Sequence, residues 1–81
     1  MQTLDVPGFD EVHRLECAGA PAFIALHAVL GGHAFGGIRV RAYPSDDAAL
    51  ADALALAQAM SRKVVLAGIT GGGAKTVLTL P

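Results

Sequence analysis

Ile38-Arg39-Val40-Arg41-Ala42-Tyr43-Pro44-Ser45-Asp46-Asp47 decides the fold, because here the chain passes from one periodicity to another. Apolar and polar side chains alternate up to Tyr43, the pattern of a strand, and both arginines fall on one face. Pro44 stops that strand, and Ser45 offers a side-chain oxygen to free backbone amides. Asp46 and Asp47 stand where the positive end of a helix dipole favours negative charge. The spacing predicts a helix from about Asp46 to Arg62, with Leu50, Leu54 and Ala57 recurring at helical intervals and Leu56 and Met60 widening the stripe. Asp52, Gln58 and Arg62 mark the opposite side. Val64-Val65-Leu66-Ala67 either continues the helix or leaves it as an extended segment, and Gly68 ends either one.

Upstream, Glu11-Val12-His13-Arg14-Leu15-Glu16-Cys17 alternates as a half-exposed strand expected at a sheet edge or beside a partner. Gly19-Ala20-Pro21 is a natural turn. The nearly unbroken apolar run Ala22–Leu30 then predicts a central strand covered on both faces. Gly31–Gly37 is too rich in glycine to hold regular structure. Downstream, Gly71-Gly72-Gly73 reads as a loop and Thr76–Leu80 as a last strand. The expected fold is α+β or α/β, a three- to four-stranded sheet with one main helix packed on one face and the lysine-bearing glycine loop at one end.

The chain has 81 residues, enough for one small domain but not for a second core. A monomer of this size buries only about 62% of its unfolded surface. With 53% of residues hydrophobic and 16% charged, against about 25% charged on average, part of the surface is expected to be covered by another copy of the chain. The net charge of -1 provides no field to gather phosphates, so nucleic acid is not an expected partner. No apolar run approaches the roughly 18 residues of a membrane span. The start carries no basic region leading into an apolar core, and the single Cys17 cannot form an internal disulfide, both of which fit a cytoplasmic protein.

Gly68-Ile69-Thr70-Gly71-Gly72-Gly73-Ala74-Lys75-Thr76 resembles a phosphate loop at a glance, but its spacing is not G-x-x-x-x-G-K-[ST], and strand rather than helix is expected to follow. Neither glycine cluster carries G-x-G-x-x-G. A different reading is that the glycines let the backbone approach a small ligand while Lys75 presents its amine in a partly dehydrated cleft. His13, His27, His33 and Cys17 form no compact ligand pattern, so no metal site is expected. Ser61, His27 and Asp52 could compose a hydrolytic triad, but no nucleophile elbow surrounds the serine.

Several of these stretches, in this order and spacing, resemble the N-terminal region of the Glu/Leu/Phe/Val amino-acid dehydrogenases, nearest the leucine and phenylalanine branch. They are Ala25-Leu26-His27, Gly36-Gly37-Ile38-Arg39, Tyr43, the helix Ala49–Leu56, Met60-Ser61-Arg62-Lys63 and Gly72-Gly73-Ala74-Lys75. The resemblance covers about 8–80 of a single domain, 1–81. It implies that Lys63 pairs with a substrate carboxylate, that Lys75 is the catalytic lysine, and that Gly36, Gly37 and Met60 line the substrate pocket. It also implies a sheet that meets its twofold mate, hence a homodimer or higher homo-oligomer, and structural ion pairs for Arg39. Ala74 stands where the family has a third glycine, and Val64 where it has an asparagine.

Two functions follow from this reading. The first is a dimerisation module that binds a small amino acid, keto acid or related carboxylate, catalytically incomplete by itself. NAD is then implied only if a Rossmann domain follows, and these residues hold no cofactor. The alternative is a complete small enzyme performing non-redox chemistry on such an acid through Lys75.

Overall fold

The computed structural model describes residues 1–80. Its elements are β1 (Gln2–Leu4), β2 (Glu11–Cys17), β3 (Ala20–Leu26), β4 (Ala34–Phe35), β5 (Ile38–Arg41), α1 (Asp46–Leu66) and β6 (Gly72–Thr79). The class is α+β, a mixed sheet with one helix on one face. The sheet has six strands rather than three or four. Its order is β1-β2-β3-β6, and β4 and β5 both pair with the far side of β6. The extra strands are β1 and β4, three and two residues long, too short for alternation to register in a sequence.

β2 is not the edge. Gln2, Thr3 and Leu4 of β1 pair with Arg14, His13 and Val12, so only the remainder of β2 keeps a free side. The hairpin from β2 to β3 turns at Ala18 and Gly19, both at positive φ, between the paired Cys17 and Ala20. That is the two-residue turn whose twist matches the flanking strands. Pro21, expected in the turn, lies in β3 opposite Glu16, and its carbonyl accepts the Thr79 hydroxyl at 2.6 Å. Near the start of a strand its missing amide proton is tolerated.

β3 is central, between β2 and β6, but only one of its faces is closed. Phe23 and Ala25 are buried under the helix, whereas Ile24 and Leu26 on the other face are half-buried. Ile38 and Val40 of β5 are 68% and 57% exposed.

α1 begins as expected, with extended Ser45 accepting the Ala48 amide on its hydroxyl at 3.1 Å. It runs past Arg62 to Leu66, so Val64, Val65 and Leu66 are helical. Gly68, at φ +72, ends it: its amide donates to the Val65 carbonyl at 3.0 Å, and the Ile69 amide donates to that of Val64 at 3.1 Å. These are the paired bonds of a Schellman cap. The helix face against the sheet is made of Ala49, Ala53 and Ala57, all fully buried, with Val64 below them. Of the expected stripe, Ala57 lies on this face, whereas Leu50 and Leu54 pack only at its margin. Alanines at this contact bring the helix backbone down onto β3 and β6, which conditions the site.

Candidate functional site

Gly71-Gly72-Gly73 is not a free loop. Gly72 and Gly73 open β6, and both are buried. A Cβ on Gly73 would stand 2.2 Å from the Ser61 amide nitrogen and 2.3 Å from the Ala57 carbonyl oxygen. One on Gly72 would stand 1.9 Å from the Ala28 carbonyl oxygen. The glycines therefore admit the protein's own backbone.

Lys75 is correspondingly a strand residue, paired with Ala25 in mid-β6 and half-buried, rather than the tip of a loop at the sheet's end. Phe23 pairs with Val77 two residues along, and both belong to the helix-packed cluster, so the alternation of β6 directs Lys75 to that face as well. On its other flank the register runs from Phe35–Gly73 to Ile38–Thr76 without gaining or losing a residue. Gly36 and Gly37 thus lie beside Ala74 and Lys75. A Cβ on Gly36 would reach 1.9 Å from the Ala74 carbonyl oxygen, and one on Gly37 would stand 3.4 Å from Lys75 Nζ. Gly36, Gly37 and Lys75 are brought together; the hollow of about 250 Å³ that they border with Ile24, Leu26 and Ile38 opens on the sheet face away from the helix, opposite to that of the Lys75 side chain.

Lys63 and Met60 belong to the helix, on the other side of the sheet from that hollow and on the side to which Lys75 is directed. Both lie near the C-terminal end of α1, Met60 half-buried and Lys63 exposed. A larger hollow of about 410 Å³ lies over Ser61, Arg62, Val65 and Leu66. Among the described residues neither lysine is ion-paired, whereas Arg14 reaches Glu16 and Asp46, and Arg39 reaches Asp52 at 3.2 Å. The two lysines are thus cations without an internal counter-ion.

Asp52 belongs to a structural cluster. It accepts the Tyr43 hydroxyl and the Arg39 guanidinium. The Tyr43 hydrogen bond, aided by Arg39, holds the Asp52 carboxyl below its ordinary range against the opposing effect of burial. Burial first, and then the Asp52 bond and charge, push the Tyr43 hydroxyl above its own. The Arg39 ion pair expected from the resemblance is present, and it removes Asp52 from any triad. Arg41 is exposed, its guanidinium carbon 5.9 Å from the Tyr43 ring centre.

Of the Ser61, His27 and Asp52 set weighed from the sequence, Ser61 and His27 do meet, with Gly73 rather than Asp52 as the third partner. His27 Nδ1 lies 2.7 Å from Ser61 Oγ, and the same oxygen accepts the Gly73 amide at 2.8 Å. Three elements meet there, from positions separated by 34 and 12 residues, so no local spacing could signal it. Among the described residues no three His, Cys, Asp or Glu side chains cluster as metal ligands.

An all-but-complete counterpart of this architecture exists in a solved amino-acid dehydrogenase. L-tryptophan dehydrogenase from Nostoc punctiforme superposes with a TM-score of 0.83 at 34% identity, over 91% of this chain and 23% of that one. Residues 9–80 match the family described as Glu/Leu/Phe/Val dehydrogenase, dimerisation domain, and the chain belongs to that family. Leucine dehydrogenase of Bacillus cereus is 48% identical over 61 residues, covering 75% of this chain. Leucine dehydrogenase of Bacillus subtilis is 44% identical over 63 residues, and valine dehydrogenase of Streptomyces coelicolor 48% over 61. The chain spans 17% of the length of each of these curated relatives. Homo-oligomerisation goes with a dimerisation domain, and no helix among the described residues is long and apolar enough to cross a membrane.

Proposed function

We propose that this chain is the dimer-forming, substrate-side part of a cytoplasmic amino-acid dehydrogenase whose substrate is an apolar amino acid and its 2-oxo acid. The observation that carries it is the pair of lysines without counter-ions, Lys75 half-buried beside Gly37 and Lys63 on the last turns of α1. Lys63 is a point charge suited to a carboxylate. Lys75, lodged where glycine leaves room for its amine, is placed to donate a proton or a hydrogen bond to an oxygen on the reacting carbon. Gly36 and Gly37 leave the backbone bare beside that amine, and Met60 contributes a pliable apolar wall. The leucine and valine dehydrogenases among its relatives support an aliphatic side chain. The same comparisons favour this reading over a stand-alone non-redox enzyme.

The nicotinamide cofactor implied by such a reaction does not fit the glycines present here. The space that Gly72 and Gly73 leave is filled by Ala28, Ala57 and Ser61, and no G-x-G-x-x-G follows a strand.

The test is titration of the 81-residue protein with 4-methyl-2-oxopentanoate, read by calorimetry and NMR. Binding at millimolar concentration or below is expected. Lys63→Ala should abolish most of the affinity, and Lys75→Ala should remove any borohydride-trappable imine. If wild type binds no small carboxylate and neither substitution alters anything but solubility, the proposal is wrong.

A further inference from the structure

The oxygen shared by His27 and Gly73 sits at a privileged point in the fold. Ser61 is two residues before Lys63 on α1, and Gly73 is two residues before Lys75 on β6. β3 has ended at Leu26, so beyond it the Gly73 amide is satisfied by a side chain from the helix rather than by a strand. His27 closes the arrangement from the end of β3: its amide donates to the Gly73 carbonyl at 2.8 Å while its ring meets the serine at 2.7 Å.

Two hydrogen bonds converge on the serine oxygen. Ser61 Oγ accepts the Gly73 amide and, among the described residues, has one other partner, His27 Nδ1, with which it shares a single hydrogen bond. Phe9 packs edge-on against the ring, 5.1 Å between centres, and limits its rotation.

We infer that Ser61 and His27 are positioning residues for the two lysines. Resting on the substrate-side reading above, they hold the start of β6 against α1, so that Lys75 and Lys63 meet one substrate at a set separation. Neither touches the substrate. Their effect passes through Gly73, which has no room for adjustment because Ser61 and Ala57 already occupy the space of its missing Cβ.

NMR of isotope-labelled protein tests this without depending on the substrate. Ser61→Ala should shift the ε-methylene and Nζ signals of Lys75 and Lys63, weaken 4-methyl-2-oxopentanoate binding by about tenfold, and leave the circular dichroism spectrum unchanged. Ser61→Thr should restore both. If Ser61→Ala fails to fold, His27→Phe, which keeps a ring against Phe9 and spares the serine-glycine bond, should move the same lysine signals in the same direction by less. Unmoved lysine signals in the variant that folds, or failure of threonine to restore them, overturns the inference. Equal oxo-acid affinity in wild type and Ser61→Ala overturns it too, while sparing the substrate reading. Lysine signals that move in a protein that binds no oxo acid leave the positioning intact and overturn the substrate reading instead.

Discussion

Gly73→Ala adds one methyl group at the point where helix and sheet are closest. The new Cβ would lie 2.2 and 2.3 Å from the Ser61 nitrogen and the Ala57 oxygen, both backbone atoms, and 2.7 Å from Ser61 Oγ, where ordinary contact begins at 3.4 Å. Helix and strand must part by about 1 Å, a shift that rotamers cannot absorb. Overpacking of this kind costs about 2 kcal/mol. Parting the elements also breaks the Gly73 to Ser61 bond, at about 1 kcal/mol more. The sum, about 3 kcal/mol, is a large share of the roughly 4–12 kcal/mol expected for a domain of this size. In urea, with a slope of about 1 kcal/mol per molar, the unfolding midpoint should fall by about 3 M at fixed protomer concentration. Gly68→Ala separates space from conformation, since Gly68 has φ +72 and nothing within 4 Å of a new Cβ. Its cost is the left-handed backbone alone, about 1 kcal/mol. A Gly73→Ala midpoint at or above that of Gly68→Ala would show that the close approach is not what makes glycine necessary at 73.

Asp52, held low by Tyr43 and Arg39, contributes stability that is present above its unfolded pKa and lost as the pH falls through its lower folded value; Asp52→Asn should cost about 1 kcal/mol near neutrality and little in strong acid, as pH-dependent urea melts would show. Tyr43 works in the opposite direction, because its raised pKa means that its contribution is present below the unfolded value and disappears as the pH rises through the folded one. Ala18 sits at φ 53 in the β2–β3 turn, and Ala18→Asn, which tolerates that region, should raise stability by about 0.5–1 kcal/mol in the same melts.

The sequence by itself determined the change from strand to helix at Pro44-Ser45, the central place of the strand read over Ala22–Leu30, though that strand ends at Leu26, and the pairing of Arg39 with a carboxylate, because these rest on signals a few residues long or on a motif. It also carried the family, through the order of its glycine, methionine and lysine motifs. It misplaced what depends on packing across the chain. Of the stripe read from Leu50, Leu54 and Ala57, only Ala57 is fully buried against the sheet, and Ala49 and Ala53 take the rest of the contact, since only small side chains let a helix lie so close to a sheet. Gly72 and Gly73 have a loop's composition, but they are strand because Ala28, Ala57 and Ser61 close over them. Lys75 became a strand residue with them. Ser61 joined His27 and Gly73 only in three dimensions, because local propensity records what each residue favours alone, whereas a shared oxygen and a missing Cβ have meaning only once distant segments press together.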